Sequence, residues 1–176
     1  FVVVVQSFFL TAESMPLDRV LGWVLLFGVP LAVGLVNWAL VDVVKMNAIV
    51  ATLITFIALQ ALSLVLRPQP GGLFDSRITD ALTFTVGPIP AAFLALLLVA
   101  GALQFWLRRS RTGIALRSVG SQPDAARLNG LSAPRVRLIG FLLCSLLAGL
   151  AALFLLAQVG SGDPTSGIDY TLTSIS

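Results

Sequence analysis

The chain of 176 residues is 57% hydrophobic and only 11% charged, with a formal net charge of +3. Because a soluble domain carries about 25% charged residues, this composition excludes an ordinary soluble fold and indicates an integral membrane protein. The chain has no His and a single Cys. A His-based acid–base site, a Cys/His metal site and an internal disulfide are therefore excluded within this chain.

Both ends of the chain lead us to expect an incomplete protein. The sequence begins Phe1-Val2-Val3, without an initiator Met and without the basic region of a signal peptide, and it stops at Ser176. Residues 1–10 are apolar but too few to cross a bilayer alone. We interpret them as the end of a truncated helix.

Four apolar stretches of about 20 residues are each long enough to span a bilayer. They cover residues 20–41, 47–66, 89–107 and 136–157. We therefore expect an all-α fold, a polytopic bundle of transmembrane helices that forms a single domain over residues 1–176.

The charges of the connecting segments predict the orientation in the membrane. Seven Arg and one Asp lie between Arg108 and Arg137, whereas the segment 67–87 is neutral and the segment after Gln158 carries two Asp. Loops rich in Lys and Arg face the cytoplasm. We expect the loop 108–135 and the connection 42–46 to be cytoplasmic, and the other two segments to be external.

The basic loop contains the pattern of a short helix. Thr112-Gly113 predicts a turn. Ser121 is a suitable N-cap, and Asp124 follows three residues later, as in a capping box with Asp in place of Glu. Gly130 suits the left-handed position after a helix. The pattern predicts about two helical turns between Ser121 and Gly130, roughly 12 Å long.

A helix this short is unstable in water on its own and has to pack against something. Two alternatives remain open from the residues alone. The helix packs against the protein's own spans, or it docks on a cytoplasmic partner.

Several segments together resemble a known family. Residues 111–130 read RTGIALRSVGSQPDAARLNG and are similar to the pattern T-x-G-x-x-x-x-A/S-x-G-x-N-x-x-A-A-R-x-x-G of bacterial ABC importer permeases. The resemblance is to the ribose, xylose and arabinose branch, with branched-chain amino acid permeases as relatives. The chain departs from the pattern at Gln122, where Asn is usual. It departs from the family a second time at Asn37-Trp38, where an Asn-Gly pair is usual and Trp38 replaces the Gly.

Two further segments extend the resemblance over about residues 37–176. Residues 47–55, NAIVATLIT, are similar to the family pattern N-x-F-I-A-T-L-x-T. Residues 164–167 and 170–176 resemble the segment that leads into a Gly-Gly-rich stretch, which is missing here.

The resemblance implies a permease subunit of an ATP-driven importer in the bacterial inner membrane, transporting a monosaccharide. ATP would be bound and hydrolysed by separate cytoplasmic ATPase subunits, so this chain would be no enzyme and would have no catalytic residue, cofactor or metal site of its own. The other implied partners are a second permease subunit, a periplasmic or lipid-anchored solute-binding protein and the lipid bilayer. We expect no nucleic-acid partner.

The resemblance also implies roles for residues of the loop. In such permeases the short helix inserts into a groove of the ATPase. Asp124 would cap that helix, Arg127 would pair with an acid of the ATPase, and Ala125 and Ala126 would permit close approach. The alternative for Asp124 and Arg127 is an ordinary cap and a solvated charge. Gly113, Gly120 and Gly130 would allow the backbone to change direction. The complete set of coupling residues is Gly113, Gly120, Ser121, Asp124, Ala125, Ala126, Arg127 and Gly130.

Few polar residues in the spans are candidates for a substrate path. They are Asn37, Thr52, Thr55 and Gln60. Polar groups within spans tend to face the interior of the bundle. The alternative is that the hydroxyl groups bond to the i−4 carbonyl of their own helix or to a neighbouring helix.

Small residues four apart in the last span, Ser145/Gly149 and Ala148/Ala152, predict a tight helix–helix contact. This contact lies either within the chain or with a second permease subunit.

Two other functions remain as alternatives to a sugar permease. One is an ABC permease for branched-chain amino acids or nucleosides. The other is a membrane transporter or scaffold without an ATPase, in which the segment 121–130 packs on its own bundle or stays mobile.

Overall fold

The computed structural model describes residues 1–9, 16–69, 71–73, 85–86, 89–122, 126, 128–159 and 161–162. The helices are α1 (Val2–Phe9), α2 (Pro16–Trp38), α3 (Ala48–Leu66), α4 (Ala91–Arg109), α5 (Arg111–Ser121) and α6 (Ala133–Val159), and a π-helical turn, Ala39–Val43, continues α2. The short strands are β1 (Gly71–Leu73), β2 (Thr85–Val86), β3 (Ile89–Pro90) and β4 (Ser161–Gly162).

Among the described residues, three helical segments are long and apolar enough to cross a membrane. These segments are Val20–Val43, Ala48–Leu66 and Ala133–Leu155. Two further helical segments, Phe93–Arg109 and Arg111–Ser121, meet at 81°. They meet the same criteria of length and apolarity together, and make a fourth span when they are counted as one bent pair. All of them overlap the apolar stretches predicted from the sequence. Most of their large apolar side chains are exposed in the isolated chain, as expected where lipid is the solvent. The predicted all-α membrane bundle is confirmed.

Helix α1 packs against α2 and α6 although it is too short to span a bilayer. Its Val4 and Gln6 are buried, and the Gln6 side-chain amide donates a hydrogen bond to the Gly22 carbonyl over 3.1 Å. The amide nitrogen thus has a backbone partner at this contact, whereas the buried side-chain oxygen of Gln6 has none among the described residues.

The segments that follow α3 and α6 meet at one end of the molecule. Strands β1 and β4 pair antiparallel there, with Gly71 opposite Gly162. This pairing is consistent with the prediction that both segments lie on the same side of the membrane. Which side that is stays a prediction.

Helices α2 and α6 approach closely through small residues. A Cβ atom added at Gly34 would lie 2.5 Å from the Ser145 hydroxyl oxygen, and one at Gly149 would lie 2.8 Å from Cγ of Pro30. The Ser145/Gly149 pair therefore forms the tight contact that its spacing predicts, and the structure places this contact within the chain, against α2.

At the other end of the bundle, two polar contacts join the end of α2 to the start of α6. The Trp38 indole N–H donates to the Pro134 carbonyl over 2.9 Å. The Arg137 guanidinium donates to the Asp42 carboxylate, also over 2.9 Å. The Asp42 side chain is only 3% exposed and that of Arg137 is 38% exposed. The π-helical turn carries Asp42 to this contact.

We expect Gly149→Ala to destabilise the protein, because the new methyl group would overlap Pro30 and the Leu26 carbonyl, which belong to a tightly packed helix. Overpacking of this kind costs about 1–3 kcal/mol. Thermal unfolding of the purified protein in detergent measures the effect. Gly28→Ala is the matched control, since nothing lies within 4 Å of its added Cβ. An equal melting temperature for both variants would contradict the packing of α2 on α6.

Removing one member of the Asp42–Arg137 ion pair should also lower stability. Arg137→Gln leaves the buried carboxylate without its cation, and we expect a loss of about 1–3 kcal/mol in the free energy of unfolding. The double variant Asp42→Asn/Arg137→Gln should recover part of this loss, as a double-mutant cycle would show. The exposed Arg135, changed to Gln, is the control. Strict additivity of the two single changes would exclude a coupled pair.

Candidate partner-binding surface

A sharp bend separates α4 from α5 at the start of the basic loop. The Ser110 hydroxyl caps α5 by accepting a hydrogen bond from the Gly113 backbone N–H over 3.0 Å. A Cβ added at Gly113 would overlap the Leu107 carbonyl and lie 2.5 Å from the Leu107 Cα. Glycine at this position therefore lets α5 fold back against the end of α4.

The predicted turn at Thr112-Gly113 is wrong, since both residues lie in the first turn of α5. The chain changes direction at Ser110 instead. The signal for this was present in the sequence, because Ser is a preferred N-cap and here directly follows the last residue of α4.

The prediction of Ser121 as an N-cap is also wrong. Ser121 is the last residue of α5, and its hydroxyl donates to the Ser118 carbonyl over 3.2 Å. Val119 packs in the interior, and α5 continues through Ser121, the predicted start of the next helix. The chain becomes extended at Gln122, whose carbonyl accepts from the Ala126 N–H over 3.1 Å.

In the described part of the loop, helical residues follow Gln122. Ala126 and Leu128 are helical, and the Leu131 N–H donates to the Ala126 carbonyl over 3.1 Å. Gly130 has φ = 77°, so its predicted left-handed conformation is confirmed. We call residues 122–131 the loop turn. Asp124, Ala125 and Arg127 lie outside the described residues.

The inner side of the loop turn packs on this chain. Ala126 is 3% exposed and belongs to a small apolar core together with Ala115, Val119, Ala133 and Val136. This core joins α5, the loop turn and the start of α6. The close approach that Ala126 permits is therefore to its own helices. Gly120, in the last turn of α5, is exposed and its added Cβ would meet nothing within 4 Å.

The outer side of the loop turn carries Leu128, which is 91% exposed. Two residues along a helix are about 200° apart, so Leu128 points away from the core that holds Ala126. Leu128 was not among the residues predicted from the sequence. Its position two residues after Ala126 places it on the opposite side of a helix, and this spacing could have identified it. Leu128 is therefore an exposed apolar side chain on the side of the loop turn away from the core.

The surface around the loop turn is basic. Five exposed Arg side chains lie in the region from α4 to α6. Among the described residues, the carboxylate that forms an ion pair in this region is that of Asp42, and its partner is Arg137. The five are Arg108, Arg109, Arg111, Arg117 and Arg135. The electrostatic field of this end of the molecule therefore favours an anionic partner.

Within the spans, the structure brings together two of the four candidate path residues. The Thr55 hydroxyl donates to the Asn37 side-chain oxygen over 2.8 Å and so joins α3 to α2. The Thr52 hydroxyl instead faces the carbonyls of Ala48 and Ile49 in its own helix, at 2.9 and 3.0 Å. For both threonines the structure shows the alternative to a substrate path. Thr52 bonds within its own helix, and Thr55 bonds to the neighbouring helix and also lies 3.0 Å from the Ala51 carbonyl of its own helix.

Gln60 lines a cavity of about 260 Å³ between α1, α2, α3 and α6. Its other polar lining residue is Ser145, and the walls are apolar, formed by side chains such as Pro30, Val33 and Phe56. This position is consistent with the prediction that Gln60 faces the protein interior. Among the described residues, no cluster of three or more His, Cys, Asp or Glu side chains is placed to hold a metal ion.

Comparison with known proteins identifies the family. The family described as branched-chain amino acid transport system, permease component, matches residues 3–175. The ribose import permease protein RbsC of Escherichia coli K12 is 27% identical over 153 residues, which cover 82% of this chain and 46% of that protein. RbsC of Haemophilus influenzae is also 27% identical, over 92% of this chain and 51% of its own length.

A shorter match is found with the xylose transport system permease protein XylH of Haemophilus influenzae, which is 33% identical over 50% of this chain and 23% of that protein. The chain spans about half the length of the RbsC relatives. No solved structure matches. The chain therefore belongs to the family of permease components of branched-chain amino acid transport systems, in the branch that contains the ribose and xylose permeases.

Proposed function

We propose that the protein is the transmembrane permease subunit of an ATP-driven importer for a monosaccharide, moved by a separate cytoplasmic ATPase that binds the loop turn. The observation that carries this proposal is the exposure of Leu128 on a turn whose other side is fixed by Ala126 in the core. An exposed apolar side chain gains free energy when it is buried in an apolar pocket of a partner.

Contiguous contacts connect this docking point to the spans. The core around Ala126 joins the loop turn to the start of α6. Two hydrogen bonds join the end of α2 to the start of α6. One runs from the Trp38 indole to the Pro134 carbonyl, and the other from the Arg137 guanidinium to the Asp42 carboxylate. A displacement of the loop turn by a partner would therefore move α6 and α2 together at this end.

The polar groups of the bundle favour an uncharged substrate. Asn37, Thr55, Gln60 and Ser145 offer amides and hydroxyls, which suit the hydroxyl groups of a sugar. An amino acid would bring two charges that these neutral groups compensate poorly. Together with the names of the RbsC and XylH relatives, this supports a monosaccharide over a branched-chain amino acid.

The remaining roles follow from the family and are part of the same proposal. ATP would be bound by the ATPase subunits, and Asp124 and Arg127 would contribute to their contact with the loop turn. A second permease subunit would complete the path, a periplasmic or lipid-anchored binding protein would deliver the solute, and the assembly would lie in the bacterial inner membrane. This chain would itself catalyse no reaction.

A scaffold or transporter without an ATPase is the competing function. The burial of Ala126 on its own helices is compatible with that function as well. The two functions differ in whether the exposed Leu128 docks on another protein, which the next experiment measures.

We expect Leu128→Asp to abolish co-purification with the ATPase subunit while leaving the fold intact. A charge placed in an apolar pocket should weaken binding at least tenfold, or about 1.4 kcal/mol. Affinity purification of the membrane-extracted complex, followed by quantification of the ATPase subunit, measures this.

The matched control is Val44→Asp, the same kind of change at a side chain that is 60% exposed beyond the end of α2. It should retain the ATPase subunit. If Leu128→Asp also retains it, with an unchanged melting temperature, the docking role of the loop turn is refuted.

The orientation can be tested by labelling with a membrane-impermeant thiol reagent in whole cells. In a Cys144→Ser background, a Cys at position 121 should be protected until the membrane is opened, because the basic loop faces the cytoplasm. A Cys at position 166, in the segment predicted to be external, should react at once. The reverse pattern would overturn the proposed topology.

A further inference from the structure

Two polar contacts fasten the end of α2 to the start of α6. The Trp38 indole N–H donates to the Pro134 carbonyl, and the Arg137 guanidinium donates to the Asp42 carboxylate, each over 2.9 Å. Trp38 and Asp42 are four residues apart along α2 and its π-helical turn. Pro134 and Arg137 are three apart on α6, so the partners on each helix share one face. The two contacts therefore lie one turn apart along the same pair of helices, and we call them the α2–α6 joint.

The ionic half of the joint resists separation. The Asp42 side chain is buried, and among the described residues its second oxygen, Oδ2, has no hydrogen-bond partner. Arg137 is therefore the group that compensates this buried charge in the described part of the chain. A small shift that broke the contact without admitting water would leave a buried carboxylate unpaired, which is strongly unfavourable. The contact therefore opposes a small movement of α6 relative to α2.

The joint lies between the loop turn and α3. On one side, Val136, the residue directly before Arg137, belongs to the apolar core that holds the loop turn. On the other side, Asn37, directly before Trp38, accepts a hydrogen bond from the Thr55 hydroxyl of α3 over 2.8 Å. Contacts therefore run from the loop turn through α6 and α2 to α3, and the joint is the middle link.

We propose that Trp38, Asp42 and Arg137 are positioning residues for transport, which keep α2 and α6 one body while the ATPase moves the loop turn. This role rests on the proposed function, because it requires an ATPase bound to the loop turn. The three side chains act through the helices and contact neither ATP nor the solute. Two other roles compete with it, a contact that opens during the transport cycle and a contact that only stabilises the fold.

The test measures the distance between the two helix ends in different states of the ATPase. Spin labels are attached at Val44→Cys, directly after the π-helical turn, and at Ser132→Cys, directly before α6, in a Cys144→Ser background. Both labelled positions are exposed. The complex with the ATPase subunit is assembled from labelled and excess unlabelled permease, so that each pair of labels lies within one chain. Pulsed electron–electron double resonance gives the distance without nucleotide and after trapping with ATP and vanadate.

We expect the same distance in both states when the joint is intact. In Arg137→Gln the distance should differ between the two states by about 1–2 Å, the usual size of a helix shift at an interface, because α6 then moves without α2. The ATPase subunit should remain bound, since Leu128 is unchanged. Trp38→Phe keeps an aromatic ring but removes the N–H, and it should give a smaller difference in the same direction. It serves as the second variant where Arg137→Gln fails to fold.

Two further variants are the controls. Arg137→Lys should behave as the parent protein, because a single hydrogen bond joins Arg137 to Asp42 and an ammonium group can also donate one. Arg135→Gln removes the same charge from an exposed position two residues earlier on α6, and its distance should be the same in both states.

Two results would overturn the proposal. A distance that changes with nucleotide in the parent protein would show that the contact opens. A distance in Arg137→Gln that is independent of nucleotide, whether or not it differs from the parent's, would leave the contact with a purely structural role. Loss of the ATPase subunit from the parent complex would instead refute the proposed function, and this separate measurement distinguishes the two failures.

Discussion

The close contact between α2 and α6 is the constraint on which the rest of the bundle depends. Small residues bring the two helices together in the span, at Gly34 against Ser145 and at Gly149 against Pro30. In a membrane there is no hydrophobic force between apolar helices, so such a contact relies on close van der Waals packing. At the end of this packed pair, the Asp42–Arg137 ion pair joins the two helices.

The same contact is where the small loop is joined to the spans. The loop turn is too short to be stable alone, and it is held because Ala126 shares a core with α5 and the start of α6. Its outer side remains available for a partner, whereas its inner side is part of the bundle. Of the two alternatives left open by the sequence, packing on the chain itself is what the structure shows for the inner side of the turn, and docking on a partner is proposed for the outer side.

The site could be predicted from the sequence only where the signal was local. Gly130 suits a left-handed position whatever surrounds it, and its φ of 77° agrees with that expectation. Ser121 satisfied the local pattern of an N-cap, but α5 continues through it, with Val119 packed in the interior. Thr112-Gly113 resembled a turn, yet Gly113 is needed for its contact with Leu107 within a helix. In both cases tertiary packing overrode a local preference.

The sequence by itself determined the membrane class, the approximate spans and the family, because apolarity over about 20 residues and a long motif are properties of the chain alone. It also predicted that Ser145 and Gly149 form a tight contact. Only the tertiary structure decided that this contact is with α2, that Asn37 meets Thr55, and that Arg137 meets Asp42. These partners lie far apart in sequence, and their pairing follows from how the helices pack, which no local pattern encodes.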